Sequence, residues 1–183
     1  MNRNRVGIAV GFVVTAATLV ATAAFAGDGA LPPELQAVRS AVARYHSFEQ
    51  AERDGYTIRA GEPCVVSPGR PGSGPNAMGV HANNLALMFD DGTIDPLQPE
   101  ILLYLPNEQG QLKLVGVEYW KADADQSLAT SDDRPSLFGQ PFDGPMPGHG
   151  NWGMPIHYDL HVWVAEENPS GAFAQFNPAI ACP

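Results

Sequence analysis

The sequence predicts an α+β fold in which an N-terminal helical segment packs on a small, mostly antiparallel β-sheet or barrel, with many loops. Apolar residues recur at helical spacing only between residues 34 and 45, whereas the later segments show β-like patterns. The 17 prolines and 19 glycines among 183 residues predict frequent turns. This composition excludes a coiled coil or a protein built from long helices.

The first 26 residues follow the order of a secretory signal peptide. Two arginines precede an uncharged run that ends at Ala26 in the small-residue pattern Ala-Phe-Ala. An uncleaved membrane anchor is the alternative, because the run is nearly long enough to cross a bilayer, but its many small residues favour cleavage. We therefore expect residues 1–26 to be removed and residues 27–183 to form a single secreted, extracytoplasmic α+β domain that does not insert in a membrane.

The net charge and the cysteine content limit which classes of binding partner and which cellular compartment the sequence favours. Twenty acidic residues against ten basic ones give a net charge of −10, which argues against nucleic acid because a phosphate-binding face needs clustered Lys and Arg. Cys64 and Cys182 are the only cysteines in the sequence. In an oxidising compartment, a disulfide between them would tie the C-terminus to the start of the β region. The alternative, a thiolate nucleophile, has no supporting motif around either cysteine.

The helical segment follows two prolines that suit the first turn of a helix. From Glu34 onward, one amphipathic stripe contains the apolar residues Leu35, Val38, Val42 and Tyr45. A second short helix is expected to begin near Phe48, since Ser47 and Gln50 have capping-box spacing, and to end at Gly55.

The remaining elements are predicted as strands and loops. Residues 61–77 contain four prolines and four glycines, so we expect a surface loop without a packed element. Residues 78–88 form a candidate strand region that carries His81, with Asn83 and Asn84 as a possible bulge or turn. The runs 101–105 and 112–120, joined by a turn containing glycine, predict a β-hairpin. After about thirty residues of turn-forming sequence, 156–164 is the last predicted strand, followed by an extended aromatic tail.

The second strand of the hairpin is apolar on both faces. Strict alternation predicts two opposite sets of side chains: Leu112, Leu114 and Trp120 against Val115, Val117 and Tyr119. Glu118 lies inside this strand, and a buried carboxylate is costly unless it is paired, bound to a metal or protonated. Glu118 is therefore either near a solvent-exposed end of the strand or part of a site.

The last predicted strand has one core face and one unusual face. Its second face carries His157, Asp159, His161 and Trp163, where a solvent face would carry Lys, Glu and Thr. The Cα atoms of the two histidines are expected to lie about 13 Å apart in an extended strand. A metal ion shared by both histidines would therefore need a bulge or curvature of the strand.

Imidazole and carboxylate groups are ligands of Zn, Cu, Fe and Mn ions. We therefore predict a metal or catalytic site formed by His81, Glu118, His157 and His161. His149 lies in a loop that is placed to cover a pocket, and we predict ligand binding for His149, Asp159 and Trp163. If the protein is an enzyme, Glu118 or His157 would act as the base and the metal ion as the Lewis acid.

The chain contains the segments MGVH at 78–81, PEILLY at 99–104, GVEY at 116–119 and HYDLHVW at 157–163. Together they resemble a type of small exported bacterial protein of uncharacterised function, which implies export but no particular activity. The histidine-rich strand is also similar to strands of cupin barrels, which hold a metal with three His and one Glu. Because the chain lacks their His-x-His pair with a downstream Glu, that similarity extends to ligand type alone.

Two functions are compatible with these observations. The first is an exported globular protein whose His/Glu-lined site binds a transition metal or a small ligand. The second is a non-catalytic secreted or envelope-associated binding module, in which Trp152, Tyr158 and Trp163 serve recognition and the histidines are structural. The sequence contains no nucleophile elbow, P-loop, Rossmann glycine pattern or H-E-x-x-H motif. It does not decide between an enzyme and a binding protein, and it leaves the identity of the metal and the oligomeric state open.

Overall fold

The computed structural model describes residues 30–90, 92–149 and 153–183, so the predicted signal peptide and Trp152 lie outside the described residues. The helices are α1 (Pro33–Val42), a 3₁₀-helix (Ala43–His46), α2 (Phe48–Arg53) and α3 (Leu85–Met88). The strands are β1 (Val65–Val66), β2 (Arg70–Pro71), β3 (Gly74–Asn83), β4 (Ile101–Pro106), β5 (Leu112–Ala122), β6 (Ser136–Leu137), β7 (Gln140–Pro141), β8 (Asp143–Met146), β9 (His157–Val162) and β10 (Asn177–Cys182). In the described part of the chain, no helix has both the length and the apolar character needed to span a bilayer.

The expectation of a mostly antiparallel sheet is confirmed. Seven strands follow the order β2-β1-β3-β4-β5-β9-β8, and β10 pairs with the first half of β3. All of these pairings are antiparallel, and β6 and β7 form a separate small hairpin. The four neighbouring strands β3, β4, β5 and β9 form the centre of the sheet and carry the candidate site.

One face of the sheet is covered by the N-terminal helices. The apolar stripe predicted from the sequence is fully buried there. It joins sheet residues in what we call the helix-side cluster, which includes Leu35, Val38, Val42, Tyr45, Tyr104, Val117, Tyr119, Leu160 and Val162. The Tyr104 hydroxyl donates a hydrogen bond of 2.6 Å to the Tyr45 carbonyl, which links β4 directly to the helical layer. We call the opposite face of the sheet, which points away from the helices, the site face.

The hairpin of β4 and β5 forms where the sequence predicts it. In the connecting turn, the Asn107 side chain accepts hydrogen bonds from the backbone of Gln109 and Gln111. Gly110 adopts a φ of +76°, which glycine accommodates without steric cost. The predicted last strand forms as β9, and Tyr158, Leu160 and Val162 are buried in the helix-side cluster as alternation requires.

The predicted assignment of residues to the two faces of β5 is wrong for the first half of the strand. The register with β4 pairs Leu114 and Gly116 with consecutive residues, so Val115 is an extra residue in a β-bulge. A bulge moves every residue before it to the other face. The helix-side cluster therefore contains Leu112, Leu114, Val117 and Tyr119, whereas Val115 and Trp120 lie on the site face.

Two further boundaries differ from the expectation. Residues 61–77 do contain packed elements, because β1, β2 and the start of β3 lie there and Ala77 is fully buried. The short strands fit between the prolines and glycines that suggested a loop. In the region 78–88, the strand ends at Asn83 and α3 follows, because the Asn84 side chain caps this helix by accepting a hydrogen bond from the Leu87 amide.

The predicted disulfide is confirmed. Cys64 and Cys182 are bonded, with Cα atoms 5.8 Å apart and a separation of 118 positions in sequence. Cys64 directly precedes β1, and Cys182 ends β10. Because β1 and β10 both pair with β3, the disulfide joins the two strands that hold the first half of the strand carrying His81.

Candidate metal centre

Three strands bring one side chain each to the same part of the site face. His81 comes from β3, Glu118 from β5 and His161 from β9. Glu118 and His161 lie directly opposite one another in the register of β5 and β9. His81 lies on the far side of β4, so its side chain and that of Glu118 lean toward each other across that strand.

The three side chains form a compact group, which we call the triad. The Glu118 Oε2 atom lies 3.1 Å from His81 Nε2 and 3.6 Å from His161 Nε2. One ligand atom from each residue lies within 4.8 Å of the other two. His81 is 9% exposed, Glu118 3% and His161 1%, so the group is enclosed by protein.

Unpartnered buried polar atoms are concentrated at this place. Among the described residues, the fully buried side-chain atoms without a hydrogen-bond partner are Glu118 Oε2, Trp120 Nε1, His157 Nε2, Asp159 Oδ1 and both ring nitrogens of His161. All of them belong to site-face residues of β5 and β9. Each buried polar group without a partner costs about 1–3 kcal/mol, so such a concentration is typical of a site that binds an ion or ligand.

The electrostatics of the triad favour an ionised carboxylate. Burial disfavours the charged form of Glu118, yet the neighbouring His161 and His81 outweigh this effect and lower the pKa of the carboxyl to about 2. Burial likewise disfavours a charged His161, but Glu118 and then Asp159 raise the pKa of its imidazole to about 9. Both shifts favour the ion pair, in which Glu118 is ionised and His161 carries a proton.

Asp159 is placed to orient His161. Its Oδ1 atom lies 3.6 Å from His161 Nδ1, on the side of the ring that faces away from Glu118 Oε2. The two residues are neighbours on one face of β9 because two positions separate them in an extended strand. A carboxylate behind a histidine ligand fixes the ring and its tautomer in many metal sites. Asp159 thus fits the role of a positioning residue.

His157 is not part of the triad. It lies four positions before His161 on a regular strand, and nothing in β9 shortens that spacing. The ring is fully buried and stacks on Trp120 with 5.7 Å between the ring centroids. His149, from the loop before β9, lies against it with ring centroids 5.1 Å apart. The predicted histidines therefore divide into the triad pair and a second pair.

Trp163 and Tyr158 are buried structural residues. The Trp163 indole donates a hydrogen bond of 2.6 Å to the Ala174 carbonyl, and the Tyr158 hydroxyl donates one of 2.8 Å to Asp133. Trp163 is 1% exposed, and Tyr158 is fully buried. Neither ring is therefore presented to an external partner, as the recognition hypothesis for these residues required.

Trp120 belongs to the site face but was not among the predicted site residues. Its aromatic ring forms a wall between His157 and Phe89. Its backbone amide donates a hydrogen bond to Glu100, while its indole nitrogen lacks a partner. Strict alternation does predict that Trp120 and Val117 lie on opposite faces of β5. Because both faces are apolar, however, the sequence does not indicate which of them carries the site.

Two imidazoles and one carboxylate form a ligand set that suits divalent Zn, Cu, Fe or Mn ions. Three protein ligands leave at least one coordination position for water or a small molecule. The orphaned atoms Glu118 Oε2 and His161 Nε2 are both ligand atoms of this set, so the residues present fit a metal ion. No protein-family model, curated protein or solved structure matches the chain.

Proposed function

We propose that the protein is exported and binds a divalent transition-metal ion through His81, Glu118 and His161. The observation that carries this proposal is the convergence of three buried ligand atoms from three strands within 4.8 Å of one another. Local structure does not bring these ligands together, because successive ligands are 37 and 43 positions apart in sequence and each comes from a different strand. Zn, Cu, Fe and Mn are the candidate ions, since their ligand preferences include both groups.

The hydrogen bonding supports a metal site over a purely structural ion cluster. A structural cluster of histidines and a carboxylate is stable when its donors and acceptors satisfy one another. In the triad, Glu118 Oε2 and both nitrogens of His161 have no hydrogen bond of adequate geometry. A metal ion that replaces the proton of His161 would satisfy Oε2 and Nε2 together and leave Nδ1 to face Asp159.

The coordination sphere also supports binding of a small ligand. With three protein ligands, a tetrahedral ion keeps one position for an exchangeable group, and a larger coordination number keeps more. The edge of His81 is the most exposed part of the triad, so exchange with solvent would take place on that side. The disulfide agrees with an extracytoplasmic location, since such bonds persist in oxidising compartments.

The proposal is tested by elemental analysis of the mature protein purified without a histidine tag. We expect one transition-metal ion per chain in the wild type and a loss of that ion in Glu118→Gln, which keeps the shape of the side chain but removes its charge. His46→Ala is the matched control, because His46 is an exposed histidine at the end of the 3₁₀-helix.

Thermal unfolding of both variants separates metal loss from loss of structure. The proposal requires that Glu118→Gln remains folded while it loses the ion and that His46→Ala keeps the ion. If metal-free wild type takes up no Zn²⁺, Mn²⁺, Fe²⁺ or Cu²⁺, or if Glu118→Gln binds as tightly as the wild type, the triad is a structural ion cluster and the proposal is wrong.

A further inference from the structure

The pair of histidines outside the triad has an unused ligand atom. The His157 Nδ1 atom lies 3.0 Å from the Pro155 carbonyl, and because a carbonyl only accepts, Nδ1 carries the hydrogen. In the neutral ring, the lone pair is then on Nε2. This nitrogen is fully buried, has no hydrogen-bond partner and takes no part in the triad. A buried lone pair of this kind is available to a metal ion.

His149 supplies a second imidazole at the right separation. The ring centroids of His149 and His157 are 5.1 Å apart, and the rings meet edge to face. Two imidazoles that bind one tetrahedral ion through nitrogens about 2 Å from it have centroids roughly 5 Å apart. The observed centroid distance is therefore compatible with a shared ion.

The backbone at Gly148, next to His149, lies close to the backbone that leads into β9. A Cβ atom on Gly148 would lie 1.6 Å from the Met154 carbonyl oxygen, so only glycine fits there. This close approach brings the exposed His149 beside the buried His157. The pair therefore spans from solvent to the interior of the site face.

The surroundings favour a cation. Glu118 and Asp159 act on the His149 ring as negative charges, which favour a cation beside it.

We propose that His149 and His157 form an outer binding site for a divalent cation such as Zn²⁺ or Cu²⁺, separate from the triad. The site lies on the solvent side of the site face, because His149 is exposed while His157 is fully buried. With two protein ligands it binds more weakly than a site with three. It uses none of the triad residues, so it does not depend on the function proposed for the triad.

The test is a titration of metal-free mature protein with Zn²⁺ against a chelator of known affinity. We expect two ions per chain, one bound tightly and one at least tenfold more weakly. His149→Ala should weaken only the second ion, by at least tenfold, and it changes an exposed residue of the loop before β9. His81→Ala should remove the tight ion and keep the weak one. His46→Ala is the control and should keep both.

The outcomes separate the two proposals. If His149→Ala binds two ions with wild-type affinities, or if the wild type binds one ion that only His81→Ala removes, the outer site is wrong and the triad proposal remains. If the wild type binds one ion that His149→Ala removes and His81→Ala keeps, the outer site is supported and the triad proposal fails.

Discussion

At the scale of single residues, two buried glutamates show that neighbours decide the charge of a buried carboxyl. Glu118 lies between histidines, and its pKa is lowered to about 2 although burial opposes this shift. Glu100 is also buried, and burial raises its pKa to about 7, because backbone hydrogen bonds from Trp120 and from its own amide and the charge of Lys121 offset burial only in part. The glutamate with basic neighbours is the one that suits a metal ligand.

The raised pKa of Glu100 predicts that the free energy of unfolding falls as the pH rises from about 4.5 to about 7. Its pKa is 4.5 when unperturbed and about 7 in the folded protein, so in this window the folded state holds a proton that the unfolded state has lost. The contribution is complete below pH 4.5 and is lost as the pH passes 7. It amounts to at most about 3 kcal/mol.

Glu100→Gln should remove this component while it keeps an acceptor for the Trp120 amide. We expect the difference in unfolding free energy between the variant and the wild type to shift in favour of the variant by up to about 3 kcal/mol from pH 4.5 to pH 8, as measured by urea unfolding. Glu108→Gln, at an exposed turn position, is the control. Parallel pH profiles for Glu100→Gln and the wild type would contradict the assignment.

Among the secondary-structure elements, the sequence predicts those whose residues repeat with a regular period. The hairpin and β9 are recovered because alternating residues repeat over several positions and a turn containing glycine joins the hairpin strands. The bulge at Val115 is not recovered, because an apolar residue fits either face of a strand that is buried on both sides. The choice between His157 and His161 as the triad ligand likewise depends on the pairing register of β5 and β9, which periodicity within one strand does not contain.

Gly79 connects the geometry of β3 to the position of His81. Its φ is +100°, and a Cβ atom there would lie 2.5 Å from the backbone oxygen of Tyr104 on β4. Gly79→Ala must therefore push β3 and β4 apart two residues before His81. We expect a loss of about 2–4 kcal/mol in unfolding free energy, from the strained φ together with the collision. We also expect Zn²⁺ affinity to fall at least tenfold, because His81 moves away from the other ligands.

Gly110→Ala is the matched control for this prediction. Gly110 also has a positive φ, of +76°, but a Cβ atom there meets nothing within 4 Å. The control should lose about 1 kcal/mol through the strained φ alone and bind Zn²⁺ as the wild type does. Equal effects of the two substitutions on stability and affinity would show that the contact with β4 does not position His81.

At the scale of the whole molecule, the sheet separates a structural layer from the candidate site. The helices and the helix-side cluster stabilise one face, and the triad lies on the other. The sequence predicts the helices and the disulfide, because a helical stripe and a pair of cysteines are local or countable features. It does not predict which face of the sheet the helices cover, because both faces of β4 and β5 are apolar.

The disulfide predicts that stability and metal binding can be separated. The bond between Cys64 and Cys182 closes a loop of 118 positions, which restricts the unfolded chain by about 4–5 kcal/mol in the chain-entropy description. In the folded protein, β1 and β10 each remain paired with β3 through their backbones. The bond therefore acts mainly on the unfolded state, and the triad does not need it for its geometry.

The double variant Cys64→Ala/Cys182→Ala should accordingly lose about 4 kcal/mol of unfolding free energy and bind Zn²⁺ within about twofold of the wild type under conditions where it is folded. Alanine is chosen because Cys182 is buried and a serine hydroxyl there would cost additional free energy. Reductant is the control, since it should destabilise the wild type toward the variant and leave the variant unchanged. A folded variant that no longer binds Zn²⁺ would mean that the disulfide holds β3, and with it His81, in place.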